Sequence, residues 1–258
     1  MAQLTSGSAL LRFSGLQDLH PGARGAFTPV VMGSEWGMAG RFSVGCLQDA
    51  WPGVRGTGEF TALAAVAAAG GGFGMVFRTE GTATFRESLI GIGYARPLSS
   101  TFRIGIRIDR YAVGTASSGM VVAWPVDVAL SWRAGAKVLA GISVYDPFRV
   151  SMPVKYGVPP PRMVRALLGF RVGEGLGLVM EWESMERRGP SLAVLLSYQY
   201  GPSVSIRVGW QSAGAQPVLM VGWTKKGLCV TVGVGWHPAL GGRYGLSCDW
   251  SSPKKEGV

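Results

Sequence analysis

Charge is scarce in this chain: Asp, Glu, Lys and Arg together make up only 16% of 258 residues. Histidine occurs only as His20 and His237, and cysteine as Cys46, Cys229 and Cys248, with no metal-ligand spacing among them. That spacing argues against a structural zinc site and leaves a single disulfide open but unsupported. No composition shift marks a linker, so one large domain is expected. Residues 1–17 lack a basic start followed by an apolar core, so any reading that exports the chain expects a signal removed just before Gln3 or a misplaced start.

Long apolar runs are also missing. A spanning helix needs about 18 consecutive apolar residues, and only 60–77 comes near. Its centre reads Ala67-Ala68-Ala69-Gly70-Gly71-Gly72, and each glycine costs roughly 1 kcal/mol in a helix, which favours strand, turn, strand. The net charge of +10 would suit nucleic acid if it were clustered. It is not: most basic residues stand singly between apolar neighbours, and adjacent lysines occur only at Lys225-Lys226 and Lys254-Lys255. No nucleic-acid partner is expected.

What the sequence does contain is hydrophobic and β-prone. Hydrophobic residues reach 47%, with nine Trp and 40 Gly, and the mean hydropathy is +0.24. The glycines have no collagen-like period, and the composition fits neither disorder nor a fibrous chain. The organising signal is alternation. In Phe102-Arg103-Ile104-Gly105-Ile106-Arg107-Ile108-Asp109 one face of a strand is Phe, Ile, Ile, Ile and the other Arg, Gly, Arg, Asp; a helix would mix them. The pattern returns around residues 164–172, 176–183, 192–200, 204–211, 228–236 and 244–250.

Every such run taken together gives about fourteen strands, centred near 42, 62, 75, 90, 105, 127, 141, 168, 180, 196, 207, 220, 232 and 246. The number is even, as in bacterial single-chain barrels. Connections after even-numbered strands are short, as at 69–71, 97–100, 133–135, 173–175, 201–202 and 225–227. Those after odd-numbered strands are read as longer, notably 46–56, 111–119, 146–162 and 184–190. Tight turns at one end and longer loops at the other match an outer-membrane barrel with both termini on the periplasmic side. Tyr94, Trp132, Trp182, Tyr198, Trp210, Trp223, Trp236 and Trp250 lie near strand ends, where aromatic girdles meet the bilayer surfaces. A soluble β-sandwich also alternates, but its outward faces should be richly charged, whereas these polar faces are mostly Gly, Ser, Ala and Arg. The expected fold is therefore an all-β, antiparallel transmembrane barrel over 36–250, with 1–35 as a periplasmic segment plugging the lumen and 251–258 as a polar tail.

Three phrases resemble a known family. Gly22-Ala23-Arg24-Gly25-Ala26-Phe27-Thr28 resembles the opening of FadL-like outer-membrane barrels of the Bacteroidetes, in particular the PorV/PorQ-like group. Val144-Tyr145-Asp146-Pro147-Phe148 is similar to the end of a central strand in that group, and His237-Pro238-Ala239-Leu240-Gly241 to the link before its final strand. The plug motif that usually follows the opening is absent, since 33–42 reads Gly-Ser-Glu-Trp-Gly-Met-Ala-Gly-Arg-Phe.

The inward set Arg103, Arg107, Asp109, Asp127, Arg165, Arg171, Glu181, Glu183, Arg207 and Gln211 carries most of the chemistry. Charges on that face are tolerable only if the lumen is wet or they pair with one another, and a network filling the lumen outweighs an open channel. Glu181 and Glu183 are the nearest approach to a carboxylate pair, and ion pairing outweighs catalysis there. A turn role outweighs a ligand role for His237, and Gly70-Gly71-Gly72 has no following Lys-Ser/Thr to make a phosphate loop. No Ser, His and acidic set falls on adjacent strand faces, so neither enzyme activity nor a cofactor is expected. The PorV-like resemblance implies an accessory or adaptor subunit of an export, surface-attachment or assembly complex, with protein partners. The wider FadL resemblance implies a passive channel for hydrophobic small molecules, needing a lateral opening for which Pro125 is the candidate kink. Either way the outer surface would meet the bilayer and lipopolysaccharide.

Overall fold

The computed structural model describes residues 38–50, 58–68, 70–82, 84–115, 119–135, 137–150, 162–172, 175–186, 188–212, 216–237 and 241–253. The expected plug, 1–35, and the end of the tail lie outside the described residues. The strands are β1 (Met38–Ala50), β2 (Gly58–Ala68), β3 (Gly71–Gly81), β4 (Phe85–Pro97), β5 (Phe102–Thr115), β6 (Gly119–Ala123), β7 (Val126–Ala134), β8 (Val138–Tyr145), β9 (Met163–Arg171), β10 (Leu176–Met185), β11 (Arg188–Tyr200), β12 (Val204–Gln211), β13 (Gln216–Lys225), β14 (Leu228–His237) and β15 (Gly241–Pro253).

Apart from β6 and β7, which do not pair with each other, each strand pairs antiparallel with its sequence neighbours, and the sheet closes on itself. β1 pairs with both β2 and β15, and β4 pairs with β5 to complete the ring. β6 and β7 share one position in that ring: both pair with β5, in one unbroken register running from Phe102↔Trp132 through Tyr111↔Ala123. The wall is thus a closed antiparallel barrel of fifteen strands, with the two short ones forming a single stave. Closure removes the free edges that an open sheet of this size would expose. Segment 60–77 is strand, turn, strand, and among the described residues no helix is long and apolar enough to cross a membrane.

Alternation in sequence becomes alternation of environment. Over 102–109 of β5 and 216–223 of β13 residues are buried and exposed in strict turn. The exposed positions are the apolar ones: Ile104 40%, Ile106 49% and Ile108 53% on β5, Leu219 44% and Val221 47% on β13, Ile90 41% and Ile92 59% on β4. The buried positions include Arg103, Arg107, Asp109, Asp127 and Arg207. A soluble sandwich would show the reverse. A contiguous apolar outer wall far exceeds the patches that monomeric soluble proteins tolerate.

The short turns lie where expected. The connection Lys226-Gly227 between Lys225 and Leu228 has positive φ at both residues, 49° and 83°, the two-residue geometry whose twist matches the flanking strands. At the opposite end three connections are shorter than the sequence suggests. Strand β1 continues to Ala50, β5 to Thr115 with β6 resuming at Gly119, and β10 and β11 run to Met185 and from Arg188. The 111–119 and 184–190 loops are therefore largely strand, and the 46–56 loop is strand as far as Ala50, its remainder lying outside the described residues. Hydrophobic alternation stops at those points, but backbone pairing does not: β1 is laddered up to Ala50↔Gly242. The 146–162 connection does separate β8 from β9, and β15 continues to Pro253, past the boundary at 250.

Candidate functional site: the lumen

The densest chemistry lies on the inward faces of β5, β7, β8, β9 and β10. Arg107 and Asp109 are two residues apart on β5 and so share its inward face. Arg107 Nε donates to Asp109 Oδ1 at 2.7 Å and Nη2 to Asp109 Oδ2 at 2.9 Å, a two-pronged charge-assisted contact. The facing positions on β4 are Gly93, opposite Arg107, and Gly91, opposite Asp109. A Cβ at Gly91 would fall 2.0 Å from Asp109 Oδ1, so the pair occupies the space a side chain would need.

Asp127 stands opposite Arg107 on the other flank, between β5 and β8. Arg107 Nη2 lies 3.3 Å from Asp127 Oδ2, but the fork of Arg107 is committed to Asp109. One ladder step further, Asp127 faces Tyr145 across β7 and β8. Arg165 and Glu183 face each other across β9 and β10, with Arg165 Nε donating to Glu183 Oε2 at 3.1 Å. Arg103, Arg107, Asp109, Asp127, Ser143, Tyr145 and Glu183 are all buried.

The remaining expected positions are spread around the wall. Arg171 and Glu181 are half-buried on the inward faces of β9 and β10. Arg207 is buried on β12, its Nη2 donating to Ser205 Oγ at 3.3 Å. Gln211 lies at the end of β12, opposite Ala193 and Gln216. The structure thus joins Arg107, Asp109 and Asp127 in one group and Arg165 with Glu183 in another. Arg207 and Gln211 stand on a separate part of the ring.

Three features went unread in the sequence. Tyr145 was only part of a family phrase, although its even spacing from Ser143 marks it as inward. Asp249 is buried on the inward face of β15, in a run whose alternation pointed there. The third is an apolar patch on the inner wall: Val179, Leu195, Val218 and Met220 are buried together, with Leu139, Leu167 and Ala193 packed against them. These residues come from runs apolar on both faces, where period two has no contrast to report.

The expected girdle residues are at strand ends and turned outward. Trp132, Trp182, Tyr198, Trp210, Trp223, Trp236 and Trp250 are 40–58% exposed. Tyr94 is half-buried because it stacks on Phe73, ring centroids 4.7 Å apart. Tyr94, Trp132, Tyr198, Trp223 and Trp250 sit at the short-turn end, with Lys225 Nζ 5.9 Å over the Trp223 ring. Trp182, Trp210 and Trp236 sit at the other end, joined by Trp124, 58% exposed, which the sequence reading passed over.

Trp124 adjoins Pro125, where β6 gives way to β7. Pro125 is fully buried, and its carbonyl accepts from Asp109 N at 3.0 Å. With no N–H it cannot return the second bond of that pair. The stave is interrupted there without losing register. Among the described residues no group of three or more His, Cys, Asp or Glu could hold a metal ion.

No family model matches the sequence, and no curated protein matches it. Among solved structures, the Pseudomonas putida toluene transporter TodX is similar with a TM-score of 0.64 and 9% identity, over 87% of this chain and 92% of that chain. The CymD monoaromatic hydrocarbon channel is similar with a TM-score of 0.57 and 10% identity, over 87% of this chain and 91% of that one. Neither likeness supports the PorV-like grouping implied by the three phrases. At such identities the likeness is one of fold: this chain has the antiparallel barrel architecture of outer-membrane channels.

Proposed function

We propose that this chain is an integral outer-membrane barrel that passes small, predominantly apolar molecules without covalent chemistry, its outward aliphatic and aromatic face meeting lipid and lipopolysaccharide. The observation that carries this reading is the inward apolar patch of Val179, Leu195, Val218 and Met220. A water-filled porin lines its lumen with polar groups, whereas these residues offer a passing hydrocarbon a surface at little desolvation cost. The channel folds of TodX and CymD support the same reading, as does the interrupted stave at Pro125, which is suited to a lateral opening. The accessory-subunit reading rests on the three phrases, the absent plug motif, short loops and a filled lumen, and the solved channel structures favour it less.

The test is uptake by Gram-negative cells lacking their own outer-membrane channels for apolar solutes. Expression of the full chain should raise the initial uptake of labelled toluene severalfold over cells carrying the empty vector. No increase, together with a stoichiometric protein partner retained in mild detergent, would transfer the assignment to the accessory role.

A further inference from the structure

Among the described side chains, charge on the outward face of the wall has one sign. Arg86 and Arg96 on β4, Arg110 on β5 and Lys225 on β13 stand at outward positions, in alternation with the inward ones. The acids of these and the neighbouring strands, Glu87, Asp109, Asp127, Glu183 and Asp249, take inward positions.

Arg86 and Arg110 are grouped. In the ladder of β4 with β5, Arg86 is opposite Gly114, Ser88 opposite Ala112 and Ile90 opposite Arg110, so Arg86, Ser88 and Arg110 follow one another diagonally on one face. Arg86 is exposed, and Ser88 and Arg110 are half-buried. Trp124 stands beside Arg110, one residue past the Tyr111↔Ala123 pair. Towards the middle of the wall come Phe77, Ile90 and Ile108, all exposed. The patch thus lies where the apolar belt ends, the level at which tryptophan and arginine reach headgroups. Arg96 and Lys225 lie at the opposite, short-turn end.

Cations at that level attract an anionic headgroup, and their spacing selects among headgroups. Arg86 and Arg110 are offset by one strand and four residues, roughly 14 Å between backbones. A glycerophospholipid offers a single phosphate, whereas lipid A offers one at each end of a disaccharide. The patch is also at the end that carries the long 146–162 connection, the external end of an outer-membrane barrel, where lipid A anchors the leaflet.

We infer that Arg86, Ser88 and Arg110 form a docking site for the phosphorylated headgroup of lipid A on the outer wall of β4 and β5, with Trp124 at its border. This rests on the outer-membrane reading above and gives it one specific lipid contact.

The experiment is native mass spectrometry of the full chain released from detergent micelles after titration with diphosphoryl lipid A and, separately, phosphatidylglycerol. Lipid A should bind saturably as a single copy, and more tightly than phosphatidylglycerol. Arg110→Gln and Arg86→Gln should each weaken lipid A binding about fivefold. Arg96→Gln and Lys225→Gln, outward at the other end, should leave it unchanged. The fold of each variant is checked by resistance of the barrel to denaturation in detergent, and Arg110→Lys, which keeps the charge, should retain most of the binding. Equal loss in all four glutamine variants, or equal binding of the two lipids, would overturn the inference, since neither outcome needs a site. A wild-type barrel that stays folded in detergent but retains no lipid A would also overturn it and leave the membrane reading intact. A chain that stays folded and monomeric in buffer without detergent would remove that reading, and the inference with it.

Discussion

The two halves of the inner wall reach low exposure by opposite means. Around β5 and β7 the lumen is filled by charge: Arg107 lies between Asp109 and Asp127, seated over Gly91 and Gly93 on β4. On β9 to β13 an aliphatic patch of Leu167, Val179, Leu195, Val218 and Met220 packs together, bordered by the Arg165–Glu183 pair and Arg207. The charged half is specific and brittle, since each ion is tolerable only while its partners remain. The aliphatic half is non-directional and degrades by increments of volume.

The sharpest break of that contrast is Asp109→Ala, which leaves the Arg107 guanidinium without its two-pronged partner. It should destabilise the barrel by about 3–5 kcal/mol, read as a lower denaturant midpoint in detergent. A loss below about 1 kcal/mol would mean water solvates the arginine and the cluster is not dry. On the same strand but the opposite face, Ile106→Arg should cost about 2–4 kcal/mol in a bilayer because it puts a cation in the lipid belt. Equal stability of that variant in bilayer and in water-rich detergent would deny that the outer face meets hydrocarbon. In the aliphatic half, Leu195→Ala should cost about 2–3 kcal/mol, and Leu195→Met, which conserves volume, less than about 1.5 kcal/mol. Similar losses for both would show that shape, not volume, matters there. The smallest effect belongs to Arg149 and Glu186, an ion pair outside the barrel wall whose side chains are 68% and 41% exposed. A double-mutant cycle should give a coupling within about 0.5 kcal/mol that vanishes in high salt.

Much of the architecture was legible before any coordinates. Each expected strand centre falls within an observed strand, because inward Arg, Asp, Gly and Ser alternate with outward Ile, Val and Trp wherever the two faces have different solvents. The same logic explains the failures. Beyond the girdle the sequence contrast lapses, as at 111–115, where Ala112, Val113 and Gly114 are buried in succession, and the continuing strands at 46–50 and 111–115 looked like loop. In the aliphatic half both faces are apolar, so Leu167 and Leu195 were placed in strands but not recognised as a lining. Pro125 was noticed as an interruption, while its pairing with Asp109 N could only be seen once β5 and β7 were laid side by side.

What the sequence alone determined is the class of structure and the side of the wall on which each residue falls, since period two is a local property of an extended chain. Tertiary structure decided which inward residues meet. Arg107 bonds its own neighbour Asp109 and approaches Asp127 from another strand, because hairpin registers and ring closure set those distances. Asp127 and Tyr145, eighteen positions apart, face each other for the same reason. Alternation says that a side chain points inward; only the register across strands says what it finds there.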